Sequence, residues 1–287
     1  MPRIAIIIAN YNDSRFLINI IKKFAEQSAD ELIVVDDFSD DKSVELLKCL
    51  QKKYTFTLTR SKFGGPFGAF ATGCMIAKSE FVSGWSCDDE PKNDYLWKMR
   101  DAINQYPLVD LYTCNAEVTR EGKTYHRTLL PFDAYISPDY MIKLTRNGHR
   151  QTINPIGAVI KKDIVIDCWQ GGGMYTTANF DCMYTYFAAL DKGFINLADH
   201  LVLYRSYSNS FGAAGKNNDI KIALAIHKKY YCRYPNTSKN ARRAGIFSHK
   251  ERLLPLLALW LIPKVPYFIR EKFYSWLYSY DSRREKL

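Results

Sequence analysis

Apolar residues along the chain recur at two different spacings, and the alternation between them sets out the first hundred residues. Ile4-Ala5-Ile6-Ile7-Ile8 is an unbroken apolar run, the pattern of a strand covered on both faces. Over 14–27 the period lengthens: Phe16, Leu17, Ile20, Ile21 and Phe24 fall on one side of a helix, with Asp13 or Ser14 as N-cap. A second buried strand is predicted over 31–35, ending in Asp36-Asp37, and Asp40 is placed to cap a helix carrying Val44, Leu47 and Leu50. Residues 55–60 (TFTLTR) read as a third strand and 66–78 (PFGAFATGCMIAK) as a helix of small and apolar residues. Residues 79–86 (SEFVSGWS) read as a fourth strand and 94–106 as the next helix. Strand and helix alternating at this spacing mean right-handed βαβ units and a parallel sheet with helices on both faces. In such sheets ligands bind beyond the carboxyl ends of the strands. The predicted ends carry Asn10-Tyr11-Asn12, Asp36-Asp37 and Asp88-Asp89-Glu90, so polar and acidic groups converge on one edge.

After residue 107 the pattern changes. Residues 108–130 read as a hairpin turning at Arg120-Glu121-Gly122-Lys123. A strand is expected over 154–162, a helix over 179–190 and further strands over 194–205.

Charge changes the picture only near the C-terminus. The chain of 287 residues has a net charge of +10, yet residues 1–215 nearly balance, with 24 Lys and Arg against 25 Asp and Glu. Residues 216–287 hold the other 16 basic residues and only 5 acidic ones. A neutral body with a basic tail calls for a polyanionic partner. The tail mixes Trp, Tyr and aliphatic residues with Lys and Arg, and its longest apolar run, 253–262, is only ten residues, with prolines at 255, 263 and 266. That is too short to span a bilayer. It suits a segment lying in a membrane interface, so a membrane surface rather than nucleic acid is the expected partner. The seven cysteines (49, 74, 87, 114, 168, 182 and 232) show no paired spacing, as expected of reduced thiols in a reducing compartment. The opening MPRIAIIIANYND has an apolar run of five and no cleavage pattern, and reads as a first strand rather than a signal peptide.

Several chemistries lack their motifs. The loop after the first strand, ANYND, has no G-x-G-x-x-G, and no Walker-type phosphate loop occurs. The five histidines lack H-E-x-x-H spacing, and G-x-S-x-G is absent. What remains is a set of clustered carboxylates. Adjacent carboxylates repel and are costly to desolvate unless a cation sits among them. Oxygen-only ligands suit Mg²⁺ or Mn²⁺, which keep waters and complete their shell with a substrate's phosphates. The edge therefore points to a metal-diphosphate substrate.

Three stretches in order, Ala9-Asn10-Tyr11-Asn12, Val34-Val35-Asp36-Asp37-Phe38-Ser39-Asp40-Asp41 and Ser86-Cys87-Asp88-Asp89, together resemble the family 2 glycosyltransferases, over residues 1–210. The resemblance implies an α/β GT-A fold, a mainly parallel sheet flanked by helices, followed here by a basic helical extension. It divides the chain into a transferase domain, 1–213, and the tail, 214–287; within the domain 1–107 would bind nucleotide and 108–213 acceptor. It implies that Ala9, Tyr11 and Asp37 line the base and ribose pocket, that Asp88 meets the ribose or the metal, and that Asp89 is the main ligand of Mn²⁺ or Mg²⁺. The general base of an inverting transfer would be Asp181, at a helix start after the glycine-rich 170–174. By the same resemblance the donor is a nucleotide-diphosphate sugar, a UDP-sugar first. The acceptor would be a glycan or lipid-linked molecule of surface polysaccharide or glycoconjugate synthesis. The tail would hold the enzyme, cytoplasmic, on the inner face of a membrane.

The sequence departs from the family pattern at Ser86 (first acid of the metal motif), Ala9 (usually proline) and Phe180 (usually an acid). Arg205-Ser206-Tyr207 stands where a histidine is common, making Arg205 and Tyr207 candidates for the diphosphate. Arg60 and Lys62 offer further charge for phosphate, and Trp169 is either a sugar platform or core. Two alternatives stay open: a catalytically inactive GT-A scaffold, and a sugar-phosphate nucleotidyltransferase, whose glycine-rich first loop ANYND does not supply.

Overall fold

The computed structural model describes residues 2–146, 153–170, 180–206, 239, 240 and 243. The glycine-rich 171–174, Tyr207 and nearly all of 214–287 lie outside the described residues. The first half follows the predicted alternation: β1 (Ile4–Asn10), α1 (Ser14–Glu26), β2 (Glu31–Asp36), α2 (Ser43–Leu50), β3 (Thr57–Arg60), α3 (Gly65–Ile76) and β4 (Phe81–Ser86). Next come β5 (Glu90–Pro91), α4 (Tyr95–Gln105), β6 (Leu111–Arg120), β7 (Lys123–Arg127), β8 (Ala134–Ile136) and α5 (Pro138–Arg146). The described elements end with β9 (Val159–Lys161), α6 (Lys162–Gln170), α7 (Phe180–Lys192) and β10 (Phe194–Ser206).

One sheet runs β3-β2-β1-β4-β9-β6-β10-β5. Its first four strands are parallel, as βαβ connections require. Short β9 then enters antiparallel between β4 and β6, and β10 lies parallel to β6. The core explains the apolar patterning. Ile4, Ile6 and Ile8 pack with Leu17, Ile20, Ile21 and Phe24 of α1, all buried. Each such aliphatic side chain contributes about 1.5–3 kcal/mol on burial. On the other face α3 crosses β1 so closely that Gly73 has no room for a side chain against Ile7.

Four local expectations change. Asp40 does not cap α2: its carboxylate accepts from Asn12 Nδ2 at 2.7 Å, and Asp41 Oδ1 instead accepts the Ser43 amide at 2.8 Å. Asp13 precedes α1 without making a side-chain cap bond. The strand expected over 154–162 shrinks to β9, because Asn154 donates to the Cys114 and Ile156 carbonyls and Gly157 turns at φ +66°. Residues 194–205 form one long strand with irregular register against β6 between Leu197, His200 and Val202. The hairpin forms as predicted, with Glu121 and Gly122 both at positive φ (52° and 75°), the backbone of a tight two-residue turn.

Candidate active site

Strand register lines up the predicted site. Asn10 pairs with Asp36, Ala9 with Ser86, and Asp36 with Arg60, so the carboxyl ends of β3, β2, β1 and β4 share one edge. Buried Asn10 fastens these ends together. Its Nδ2 donates to Asp36 Oδ1 at 2.8 Å and Ser39 Oγ at 3.0 Å, while its Oδ1 accepts from the Cys87 thiol at 3.4 Å. Ser39 Oγ also accepts the Asn12 amide. A buried polar group is retained only when its bonds are made, and here they tie the loops after β1, β2 and β4 into one frame.

Within that frame Asp36 is structural and Asp37 faces the edge. Asp37 Oδ2 accepts the Gly65 amide at 2.6 Å, at the start of α3. Asp37 Oδ1 is buried and has no hydrogen-bond partner among the described residues. A buried acceptor left open costs about 1–3 kcal/mol, which a ligand's N–H or O–H would recover. Tyr11, next to Asn10 in sequence, is 61% exposed. Ala9 is half-buried at the end of β1. Arg60 stacks on Phe38 at 4.4 Å, so its charge lies over the loop after β2.

The three consecutive carboxylates of the β4–β5 turn have different surroundings. Glu90 is neutralised: it accepts Arg205 Nη2 at 2.6 Å and Asn19 Nδ2 at 2.9 Å, and pairs with Lys23 at 3.6 Å. Burial opposes its ionisation, but the Arg205 bond, and then Lys23, hold its carboxyl below the ordinary range. Asp89 is only 4% exposed, and its Oδ1 accepts the Arg205 backbone N–H at 3.4 Å. Burial, then the adjacent Asp88 carboxylate, push Asp89 well above the ordinary range. Asp88 is raised too, by burial and then by Asp13, and no side-chain partner for it is found among the described residues. Asp13, read from sequence only as a cap, therefore belongs to the acidic edge.

Asp181 stands in the first turn of α7, where the helix N-terminus favours a carboxylate. Half-buried Tyr204 of β10 links the two halves. Its phenol is pushed up by burial and then by the carboxylates of Asp89, Asp88 and Asp181. Trp169, in contrast, is buried and packs on Phe63 with ring centroids 5.2 Å apart, which makes it core. Arg205 is engaged with the turn: its guanidinium donates to the Asp88 carbonyl and to Glu90. From sequence Asn10 was read only as part of the strand-end motif and Asp13 only as a cap, while Gly65 and Tyr204 were given no role. Only Gly65, inside a Gly-Gly-Pro stretch at a predicted helix start, carried a usable local signal.

A divalent cation fits the donor set. No guanidinium or ammonium group bonds the Asp88 or Asp89 carboxylate among the described residues, and burial, then a neighbouring carboxylate, raises both. Among the described residues no group of three or more His, Cys, Asp and Glu side chains is disposed around a metal position. A cation there would take two protein oxygens and complete its shell with water and phosphate, the habit of Mg²⁺ and Mn²⁺. No helix among the described residues is long and apolar enough to cross a membrane. Asn240 and Arg243, from the segment read as tail, are docked on the body: Asn240 Nδ2 donates to the Leu190 carbonyl at 2.8 Å, and Arg243 pairs with Asp139 at 2.7 Å.

Comparison with known proteins agrees with this arrangement. TarS 1–349 of S. aureus superposes with a TM-score of 0.65 at 15% identity, covering 85% of this chain and 70% of that one. The same TarS fragment in complex with UDP-GlcNAc gives 0.63 at 14% identity, over 85% and 73%. At these identities the likeness is one of fold, and the fold is GT-A. An uncharacterized glycosyltransferase of Haemophilus influenzae is 34% identical over 116 residues, 38% of this chain and 45% of that protein, so the match spans less than half of its length. Residues 5–169 match the model of glycosyl transferase family 2. That match takes in β1 to α6, with the ends of β3, β2, β1 and β4 that share the edge, and this chain belongs to glycosyl transferase family 2.

Proposed function

We propose that the protein transfers a sugar, with inversion, from a UDP-sugar to a glycan or lipid-linked acceptor. The observation that carries the reading is the register that sets the ends of β2, β1 and β4 on one edge, with the open acceptor of Asp37 after β2 and the acidic pair Asp88-Asp89 after β4. The UDP-GlcNAc complex of a protein sharing this fold supports uridine as the first base to test. Ala9, Tyr11 and Asp37 hold the base and ribose, Tyr11 by its exposed ring and Asp37 by Oδ1. Asp88 and Asp89 hold Mn²⁺ or Mg²⁺, which supplies charge neutralisation of the leaving diphosphate. Asp181 accepts the acceptor hydroxyl's proton as the anomeric C–O bond to diphosphate breaks and the new glycosidic bond forms. Positioning does the rest.

Thermal shift with UDP, GDP, ADP and CMP, each with and without Mn²⁺, tests the donor half. UDP should stabilise the protein only with metal. Turnover of UDP-sugars, with the product anomer read by NMR, tests inversion; retention would overturn the role of Asp181. Membrane attachment is part of the same proposal. Asn240 and Arg243 are docked on the body, so the truncation that tests attachment is made after 246 and spares both. A chain ending at 246 should lose co-sedimentation with anionic vesicles, and retained partition would refute attachment through those residues.

A further inference from the structure

Resting on that reading of the edge, we infer that Arg205 is the positioning residue of the acidic turn: it holds Asp88 and Asp89 in register for the metal-nucleotide without touching it. The argument begins with strand geometry. Residues on a strand alternate between faces. The carboxylates of Asp89, Asp88 and Asp181 act on the Tyr204 phenol, whereas the guanidinium of Arg205 lies 5.8 Å over the ring of Phe16 in α1. From that side Arg205 makes three contacts with three consecutive residues. Nη1 donates to the Asp88 carbonyl, its backbone N–H to Asp89 Oδ1, and Nη2 to Glu90 Oε1. Leu203 pairs with Glu90 across the short β5, so the strand and the side chain grip the same turn.

Glu90 is in turn held by Lys23 and Asn19. Arg205 thus completes a bracket running from α1 through Glu90 to β10, and the turn that carries Asp88 and Asp89 is suspended in it. The fork geometry matters, because two separate acceptors, a carbonyl and a carboxylate, are met by two nitrogens of one planar group. Lysine offers the charge but not the fork. With its nitrogens on the protein, Arg205 acts on the donor through the turn's position. Groups that orient metal ligands in this indirect way are worth about 10–100-fold in affinity when removed.

The test is a double-mutant cycle read by binding rather than turnover. The full-length protein and its R205M, R205K, E90A and R205M/E90A variants are titrated with Mn²⁺ alone by EPR, and with UDP in saturating Mn²⁺ by calorimetry. R205M should weaken UDP binding about 10–100-fold. E90A should weaken it in the same direction, and the double variant no further than R205M, since both act through one bracket. R205K should recover only part of the loss. Values are taken per folded molecule, so a variant that merely loses stability keeps its affinity, and that result would overturn the inference. A silent E90A beside a damaging R205M would also overturn it, because Arg205 would then be meeting the diphosphate itself. If R205M does not fold, R205K and E90A carry the same comparison. Absence of Mn²⁺-dependent UDP binding in the unaltered protein would sink the donor reading and this inference together; its presence with R205M unchanged would sink only this one.

Discussion

Gly73 offers a test of how tightly the donor side of the fold is built. A methyl group at this position of α3 would stand 2.3 Å from Ile7 Cγ2 and 3.2 Å from Cγ1, and Ile7 is completely buried. Gly73→Ala would gain about 1 kcal/mol of helix propensity. Against that, forcing a methyl into a filled core costs about 1–3 kcal/mol, and 2.3 Å places this site at the upper end of the range. A net loss of about 2 kcal/mol is expected. Ile7→Ala removes the opposing methyl and costs about 2–5 kcal/mol by itself. In the double variant the clash is gone, the helix gain remains, and the methyl added on α3 fills part of the hole. The pair should therefore be about 1–2 kcal/mol more stable than Ile7→Ala alone, a coupling at the top of the range for contacting residues. Urea unfolding at constant slope measures each corner of the cycle. The same displacement has a functional readout, since α3 begins with the Gly65 amide that Asp37 holds at 2.6 Å. Gly73→Ala should weaken UDP binding and Ile7→Ala should restore it. Additivity within about 0.5 kcal/mol would refute the close packing of α3 on β1.

Asp89→Asn keeps an oxygen for the Arg205 N–H while removing a buried charge beside Asp88. The protein without nucleotide should melt no lower and rise by about 2–4 °C per kcal/mol relieved, while Mn²⁺-dependent stabilisation by UDP disappears; a lower melting point with the UDP shift intact contradicts the assignment. Asp181→Asn should lower kcat by about 10²–10⁴-fold and leave UDP affinity unchanged in calorimetry, the signature of a proton acceptor rather than a binding group. Burial and then neighbouring His126 hold the His200 imidazole below its ordinary 6.5. The unfolded chain protonates first, so stability is lost as pH falls through 6.5 toward the folded-state value, and His200→Gln should flatten the melting temperature between about pH 5 and 7.

The parts of the fold that were legible are those whose signal is local and periodic. Ile4 to Ile8 could only be a doubly covered strand, and α1 showed its buried stripe at helical spacing. Glu121-Gly122 announced the hairpin because few residue pairs tolerate two positive φ angles. The region 154–170 was blurred for an equally physical reason. A Gly157 turn, a three-residue strand and a nine-residue helix follow each other with apolar residues throughout, so neither period lasts long enough to show. The place of Asp37, Asp88 and Asp89 on one edge was visible because they follow the ends of strands in a parallel sheet. Asp13 looked like a cap, and its place beside Asp88 depends on how α1 enters the edge. The Arg205–Glu90 bond joins residues 115 apart in sequence. It exists only because β10 crosses to the far side of β6 and meets β5, a pairing no local pattern announces.

That pairing also accounts for a turn with three acids in a row. Were all three neutralised, the turn would be stable and inert; were none, mutual repulsion and burial would open it. The structure divides them. Glu90 takes Arg205, Lys23 and Asn19 and becomes an anchor, whereas Asp88 and Asp89, raised by burial and by neighbouring carboxylates, are bonded by no guanidinium or ammonium group of the described residues. The anchor stops the turn from relaxing, so the repulsion between the other two cannot be relieved by movement. It can be relieved by protonation or by a cation. Under the proposed function, a cation arriving with a diphosphate would bring its own ligands and offset the desolvation penalty of the pair, so its binding would gain from repulsion already present in the free protein. On this account the anchor and the site are separable: weakening Glu90 should soften the turn and lower affinity, whereas neutralising Asp89 should stabilise the turn and abolish metal-dependent binding. Opposite signs in stability with the same sign in affinity are what distinguish a built site from a solvated acidic turn.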